Sequence, residues 1–168
     1  MFYPKERFNE SEDNMMDVYA KLKEMNLTLP TAPAKGGVYS PAKRFAGNLV
    51  YISGCGPAVG APVSGKLGKE ITVEEGIEHA RNAMLNVLAV LEREIGDLNK
   101  VTNCVKLLVF VAGTDEFYQQ PQVANGASGL LVSLYGDEKG APTRSAIGLN
   151  ALPGNIPVEV EGIFEIGE

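Results

Sequence analysis

Apolar residues recur along this chain with two different periods. Between 73 and 95, Ile77, Ala80, Met84, Val87, Leu88 and Leu91 fall on one helical stripe, the spacing with which an amphipathic helix buries one side. Thr72 and Glu75 make a capping-box pair ahead of it, and Gly96 is a natural left-handed stop. A second helix is predicted over 123–135, after Pro121 and before Gly136. Near the start, Val18, Tyr19, Leu22 and Met25 recur at helical spacing until Asn26 and Pro30 interrupt them, which predicts a short helix docked on the body.

Elsewhere the period shortens to two. Residues 48–53 (Asn-Leu-Val-Tyr-Ile-Ser) are rich in β-branched and aromatic side chains and follow Gly47. Residues 38–44 read as an edge strand or a break, because Pro41 cannot donate to a ladder. In 101–112, Val101, Val105, Leu107 and Val109 alternate with Cys104, Leu108 and Phe110, so this interior strand needs cover on both sides. Two more strands, 143–149 and 158–166, flank Leu152-Pro153-Gly154-Asn155. In the last, Val158, Val160, Phe164 and Ile166 share one face, while Glu159, Glu161 and Glu165 share the other with Ile163. Gly60, Pro62, Gly65 and Gly68 mark an exposed loop.

The resulting order, β-β-α-β-α-β-β, predicts an α+β domain with two helices on one side of a single sheet. The apolar residues of the other side, above all in 101–112, then require a partner, and a homo-oligomer is expected. A length of 168 residues suits one folded domain. It divides into an extension, 1–33, and the domain proper, 34–168.

Composition removes several function classes. With 15 basic against 21 acidic residues, the net charge of −6 argues against a protein that tracks nucleic-acid phosphates. A single His excludes a paired-imidazole ribonuclease mechanism and a multi-His metal site within one chain. That residue, His79, lies opposite the apolar stripe of its helix and is expected to be solvated. Cys55 and Cys104 have neither metal-site nor disulfide-framework spacing. With no long apolar run and a polar start, the chain is expected in the cytoplasm, with no membrane or nucleic-acid partner. Phosphate-binding loops, nucleophile elbows and zinc-protease motifs are missing.

Three places can carry chemistry. Arg144, in Pro142-Thr143-Arg144-Ser145-Ala146, offers a planar fork for a carboxylate, or else serves as a surface Arg or a partner for a late glutamate. Glu159 stands among apolar neighbours, where a carboxyl group can hold its proton and act on water, or else belongs to a solvated strand face with Glu161. The run Gly54-Cys55-Gly56-Pro57 is either a simple strand end or a place where backbone amides approach a ligand. Cys55 within it reads as a reactive thiol or an inert small residue.

Three segments together resemble the Rid family, also called the YjgF/YER057c/UK114 family. They are Ala34-Lys35-Gly36-Gly37-Val38-Tyr39 leading to Gly47 through Gly54; Ala80-Arg81-Asn82-Ala83-Met84-Leu85-Asn86-Val87-Leu88 with Gly96-Asp97-Leu98; and Pro142 to Ala146, then Leu152-Pro153 and Val158-Glu159-Val160-Glu161. The resemblance covers about 32–168 and is nearest to a longer subgroup with an N-terminal helical extension and the Asn125-Gly126-Ala127-Ser128 stretch. It implies a chorismate-mutase-like fold, a homotrimer with sites between subunits, and hydrolysis of reactive enamines and imines such as 2-aminoacrylate to 2-oxo acids and ammonia, without metal or organic cofactor. By position, Arg144 matches the arginine that grips the substrate carboxylate and Glu159 the glutamate that orients or activates water. Tyr39 matches a tyrosine of the cleft, Ser53 and Gly54 the strand end beside it, and Asn125 an asparagine of the second helix. Ala146 replaces a frequent Cys whose backbone meets substrate, and Cys55 replaces a frequent Gln or other polar residue at the cleft. The expected function is therefore a small-molecule imine deaminase. Its rivals are a non-catalytic trimer binding small carboxylates or partner proteins and, less favoured, an endoribonuclease or translation inhibitor.

Overall fold

A computed structural model describes residues 17–167. Five strands form one mixed sheet in the order β1-β2-β5-β3-β4, where β1 is Ala42–Phe45, β2 Leu49–Cys55, β3 Val101–Ala112, β4 Thr143–Leu149 and β5 Val158–Ile166. Only the β3–β4 pair is parallel. Helix α1 spans Val18–Glu24, α2 Val73–Ile95 and α3 Gln120–Gly140. Helix α2 packs on β2 and β5 while α3 packs on β3 and β4, both on the same face. The core lies between, around Leu88, Leu91, Leu107, Leu131, Val160 and Phe164, all almost completely buried.

Local sequence explains where most elements start and stop. Thr72 and Glu75 cap α2 reciprocally, with Glu75 N–H donating to Thr72 Oγ1 at 3.2 Å and Thr72 N–H donating to Glu75 Oε2 at 2.8 Å. Gly96 ends α2 in the left-handed region, at φ 85°. The strand expected over 38–44 begins only after Pro41, consistent with the missing donor of that residue. Helix α3 begins earlier than 123 because Pro121 fits the first turn, where its missing N–H has no partner to lose. It also passes Gly136, the expected stop, which becomes an internal kink at φ 77° and ψ 170°. Among the described residues no helix is long and apolar enough to cross a membrane.

Three further expectations change. Residues 60–68 are an exposed loop at Gly60, Pro62 and Gly68, but Gly65 and Leu67 are buried: Leu67 N–H donates to Ala112 O, and its carbonyl accepts from Thr114 N–H. His79 is half-buried rather than solvated, and its Nδ1 is enclosed with no hydrogen-bond partner among the described residues. Strand β3 does not alternate simply, because its pairing with β5 shifts between Val101 and Asn103 and again between Cys104 and Lys106. Each extra residue reverses the sense of alternation, so Val101 and Cys104 join Leu107, Val109 and Val111 in the core, whereas Val105 leaves it. Strand β5 alternates as read, with its glutamates on the face that no helix covers.

That open face is partly apolar. Leu108 and Phe110 of β3, Ile147 of β4 and Ile163 of β5 are only half-buried there, with Tyr51 and Phe45 still more exposed at 38% and 43%. Polar pairs cross it, among them Tyr51 Oη to Glu161 Oε1 at 2.6 Å, Asn48 Nδ2 to Glu165 Oε1 at 2.8 Å and Lys106 Nζ to Ser145 Oγ at 3.1 Å.

Candidate active site

The sequence candidates separate into two clusters. The first surrounds the end of β2. Pairing between β2 and β5 slips between Ile52 and Cys55, so Ile52 and Cys55 both enter the core while Ser53 and Gly54 bulge beside Glu159. Gly54 has no side chain where the Glu159 carboxylate lies; a Cβ there would overlap Oε1 and stand 2.7 Å from Cδ. Ser53 ties this end to the incoming chain, its hydroxyl donating to Ser40 O and its N–H to Pro41 O, both at 2.9 Å. Tyr39 folds back so that its hydroxyl accepts the Gly36 N–H at 3.0 Å. Tyr39, Ser53, Gly54 and Cys55 line one cleft of about 270 Å³.

Electrostatics differ sharply within this cluster. Burial, and secondarily the charge of Glu161, raises the pKa of Glu159 above the ordinary carboxylate range. Among the described residues no group donates a hydrogen bond to its side chain, whereas Glu161 is engaged by Tyr51. That bond to Glu161, with burial second, pushes the Tyr51 phenol up to about 12. Cys55 is a neutral thiol at physiological pH: burial first, then Glu159, pushes it up to about 12 against a smaller opposing effect of Arg93. Its Sγ donates to Ser53 O at 3.5 Å. Its burial and raised pKa fit the reading as an inert small residue.

The second cluster sits where β4 meets α3. Arg144 faces the helices, and its Nη1 donates to Asn125 Oδ1 at 2.8 Å and to Ser128 Oγ at 2.9 Å. Its Nη2 reaches Pro121 O at 3.4 Å. These partners are neutral, and among the described residues no carboxylate pairs with Arg144; the reading as a partner of a late glutamate does not apply. Its positive charge is held in place without being neutralised, which suits capture of an anion. Ala146, two residues along, shares this face and packs against the core. Ser128 was not among the sequence candidates. Its signal was its spacing of three from Asn125, which puts both on one side of a helix.

Arg144 and Glu159 do not meet within the chain. Arg144 is level with Leu107 and Gly162, whereas Glu159 is level with Phe110, three positions further along. That places them roughly 10 Å apart along the strands and roughly 10 Å across them, with side chains on opposite faces. No small substrate spans that gap through the sheet. Asn86 is a further residue of the Glu159 cluster: it is buried, and its Nδ2 donates to Gly56 O and Ala58 O at 2.9 Å each, fixing the loop after β2. Among the described residues no group of three or more His, Cys, Asp and Glu side chains is placed to hold a metal ion.

Comparison with known proteins adds the lineage. The chain is 38% identical over 151 residues to "Protein TCP17" of Trypanosoma cruzi, covering 89% of this chain and 94% of that protein. It is 28% identical over 145 residues to the 2-iminobutanoate/2-iminopropanoate deaminase of Dermatophagoides farinae, covering 83% and 94% respectively. The crystal structure of Atu1372 from Agrobacterium tumefaciens, described as a protein of unknown function, superposes with a TM-score of 0.82 at 35% identity, covering 92% of this chain and 96% of that one. The family model described as "Endoribonuclease L-PSP" matches residues 29–166. With that match over the sheet, both long helices and both clusters, the chain belongs to the Rid (YjgF/YER057c/UK114) family.

Proposed function

We propose that the chain hydrolyses reactive 2-imino acids and their enamine tautomers to 2-oxo acids and ammonia, in a homotrimer where Arg144 of one copy faces Glu159 of the next. The observation that carries this reading is the Arg144 guanidinium, oriented by Asn125 and Ser128 and left with its full charge. A fixed fork of this kind suits the carboxylate common to all such substrates. The deaminase name of the Dermatophagoides farinae relative supports the same chemistry, and the half-buried apolar residues of the open sheet face supply a reason to associate.

The reaction needs little beyond positioning, since a protonated imine is already a strong electrophile. Water adds to C2 while Glu159 accepts its proton, forming a carbinolamine. The proton then passes to nitrogen and the C–N bond breaks with loss of ammonia, while Glu159 takes up the hydroxyl proton as the C2 carbonyl forms. A carboxyl whose pKa is raised by burial exchanges protons more readily near neutral pH than an ordinary one. Backbone groups at the Ser53–Gly54 bulge and the hydroxyl of Tyr39 border the reacting centre. The only co-reactant is water.

The test is acceleration of imine decay, with the imine generated by an amino acid oxidase and trapped by semicarbazide. Arg144→Ala and Glu159→Gln are each expected to abolish the acceleration. Full activity in Arg144→Ala removes the carboxylate grip from the mechanism. Loss of carboxylate binding with no wild-type turnover instead assigns the chain to the non-catalytic binders.

A further inference from the structure

The segment ahead of the sheet is fastened to the body at both ends. At its start Val18 and Leu22 are buried, Val18 N–H donates to Asn99 Oδ1 at 2.9 Å, and Leu98 N–H donates to the Tyr19 hydroxyl at 3.0 Å. Further on, Leu27, Leu29 and Ala32 pack against the core, and Arg93 Nη1 donates to Pro33 O at 3.4 Å. Held this way, the chain crosses the end of β2, and 33–36 become one wall of the cleft of about 270 Å³ that Gly54 lines. The opposite wall comes from the loop after β2 and from α2.

The cleft changes character with distance from Glu159. At one end lie Tyr39, Ser53 and Gly54, and the missing side chain of Gly54 leaves room for the Glu159 carboxylate beside it. Beyond, its surfaces are Pro33, Ala34, Ala58 and Val90, all hydrocarbon. Both N–H groups of Asn86 are already spent on the Gly56 and Ala58 carbonyls, and Cys55 is an uncharged thiol. A polar side chain entering here would shed water for few partners, while an aliphatic one would gain from burial. Resting on the deaminase reading, we propose that this cleft receives the substrate's side chain and selects aliphatic 2-imino acids of leucine size over the alanine-derived imine, with residues 33–36 as the selecting wall. The methyl group of 2-iminopropanoate would leave most of the cleft to water. Lys35, exposed at the rim, defines the rival outcome, a preference for an acidic side chain.

Binding and turnover separate these cases. Calorimetry with the full chain would compare 4-methyl-2-oxopentanoate, pyruvate and 2-oxoglutarate, and the trapping assay would compare imines of leucine, alanine and glutamate. Three additional buried carbons are expected to favour the leucine-derived compound by at least about tenfold in both. Ala34→Trp and Ala58→Trp, at two exposed positions of the cleft wall, should erase that preference, with a larger loss of affinity for 4-methyl-2-oxopentanoate than for pyruvate. Pyruvate binding as tightly as the larger acid, 2-oxoglutarate binding tightest, or equal loss for all three acids in the Trp variants would each overturn the proposal. Turnover without side-chain preference defeats it and leaves the deaminase reading intact. Selective binding of the aliphatic acid with no imine turnover defeats that reading and keeps the side-chain cleft.

Discussion

Gly54→Ala isolates the placement of Glu159 from its chemistry. The backbone of Gly54 is not in the left-handed region, so alanine is conformationally acceptable and the strand should form unchanged. The added Cβ, however, overlaps Glu159 Oε1 and stands 2.7 Å from Cδ, where ordinary contacts lie at 3.4–4 Å. The carboxylate must therefore move by roughly 1 Å, a displacement that costs on the order of 100-fold in rate when the group acts on a bound reactant. Expressed as a barrier, that is about 2.7 kcal/mol. Stability should change by less than about 1 kcal/mol, because the displaced side chain swings toward water rather than into the core. Imine turnover measured beside a thermal melt and a circular dichroism spectrum distinguishes the cases. A loss near 100-fold in kcat with a native melt supports the geometry. Turnover within twofold of wild type would show that the position of Glu159 does not limit the reaction, and the assignment built on it would fall.

The remaining expectations concern charge and support. Because folding raises the pKa of Glu159, the wild type loses stability as pH climbs from the unfolded carboxylate value, ~4.3, through the folded one. Glu159→Gln should therefore melt higher than wild type at pH 8, with the gap closing toward pH 4; a constant gap would mean that the carboxyl is not desolvated. Ser128→Ala removes one of two acceptors on Arg144 Nη1, a loss of ~1 kcal/mol, so KM for imine should rise about fivefold with kcat nearly unchanged, and Ser128→Thr should restore it. Both thiols are buried, and burial holds each at about 12. Iodoacetamide at pH 7.5 should modify neither until denaturant is added, as mass spectrometry would show.

The open face of the sheet connects packing to function. Helices α2 and α3 bury the centre of one side, yet Leu108, Phe110, Ile147 and Ile163 on the other keep only partial cover. A residue such as Phe110 sits opposite Glu159 in the ladder, so whatever covers the apolar patch also approaches the Glu159 carboxylate. Association and assembly of the site are thus expected to be one event, concentration-dependent together.

Much of the architecture was legible because it is written in local periods. The capping box at Thr72, the stop at Gly96 and the strict alternation of β5 each depend on residues within a few positions of one another, and the fold cannot easily override them. The two cluster-defining residues could also be named, since Arg144 and Glu159 stand out against apolar strands and match a family pattern. What the sequence could not state was the bulges. One extra residue at Thr102, another at Val105 and the slip at Ser53–Gly54 reverse which side chains face the core, and only the pairing of strands distant in the chain creates them. Nor could it state that Arg144 and Glu159 lie on opposite faces. That follows from register: Arg144 pairs with Leu107, which faces the core, while Glu159 pairs with Phe110, three residues on and on the other face. Local patterning determined the elements and the reactive groups; long-range register decided which of those groups one chain can bring together, because a side chain's face is set by its partner strand and not by its neighbours in sequence.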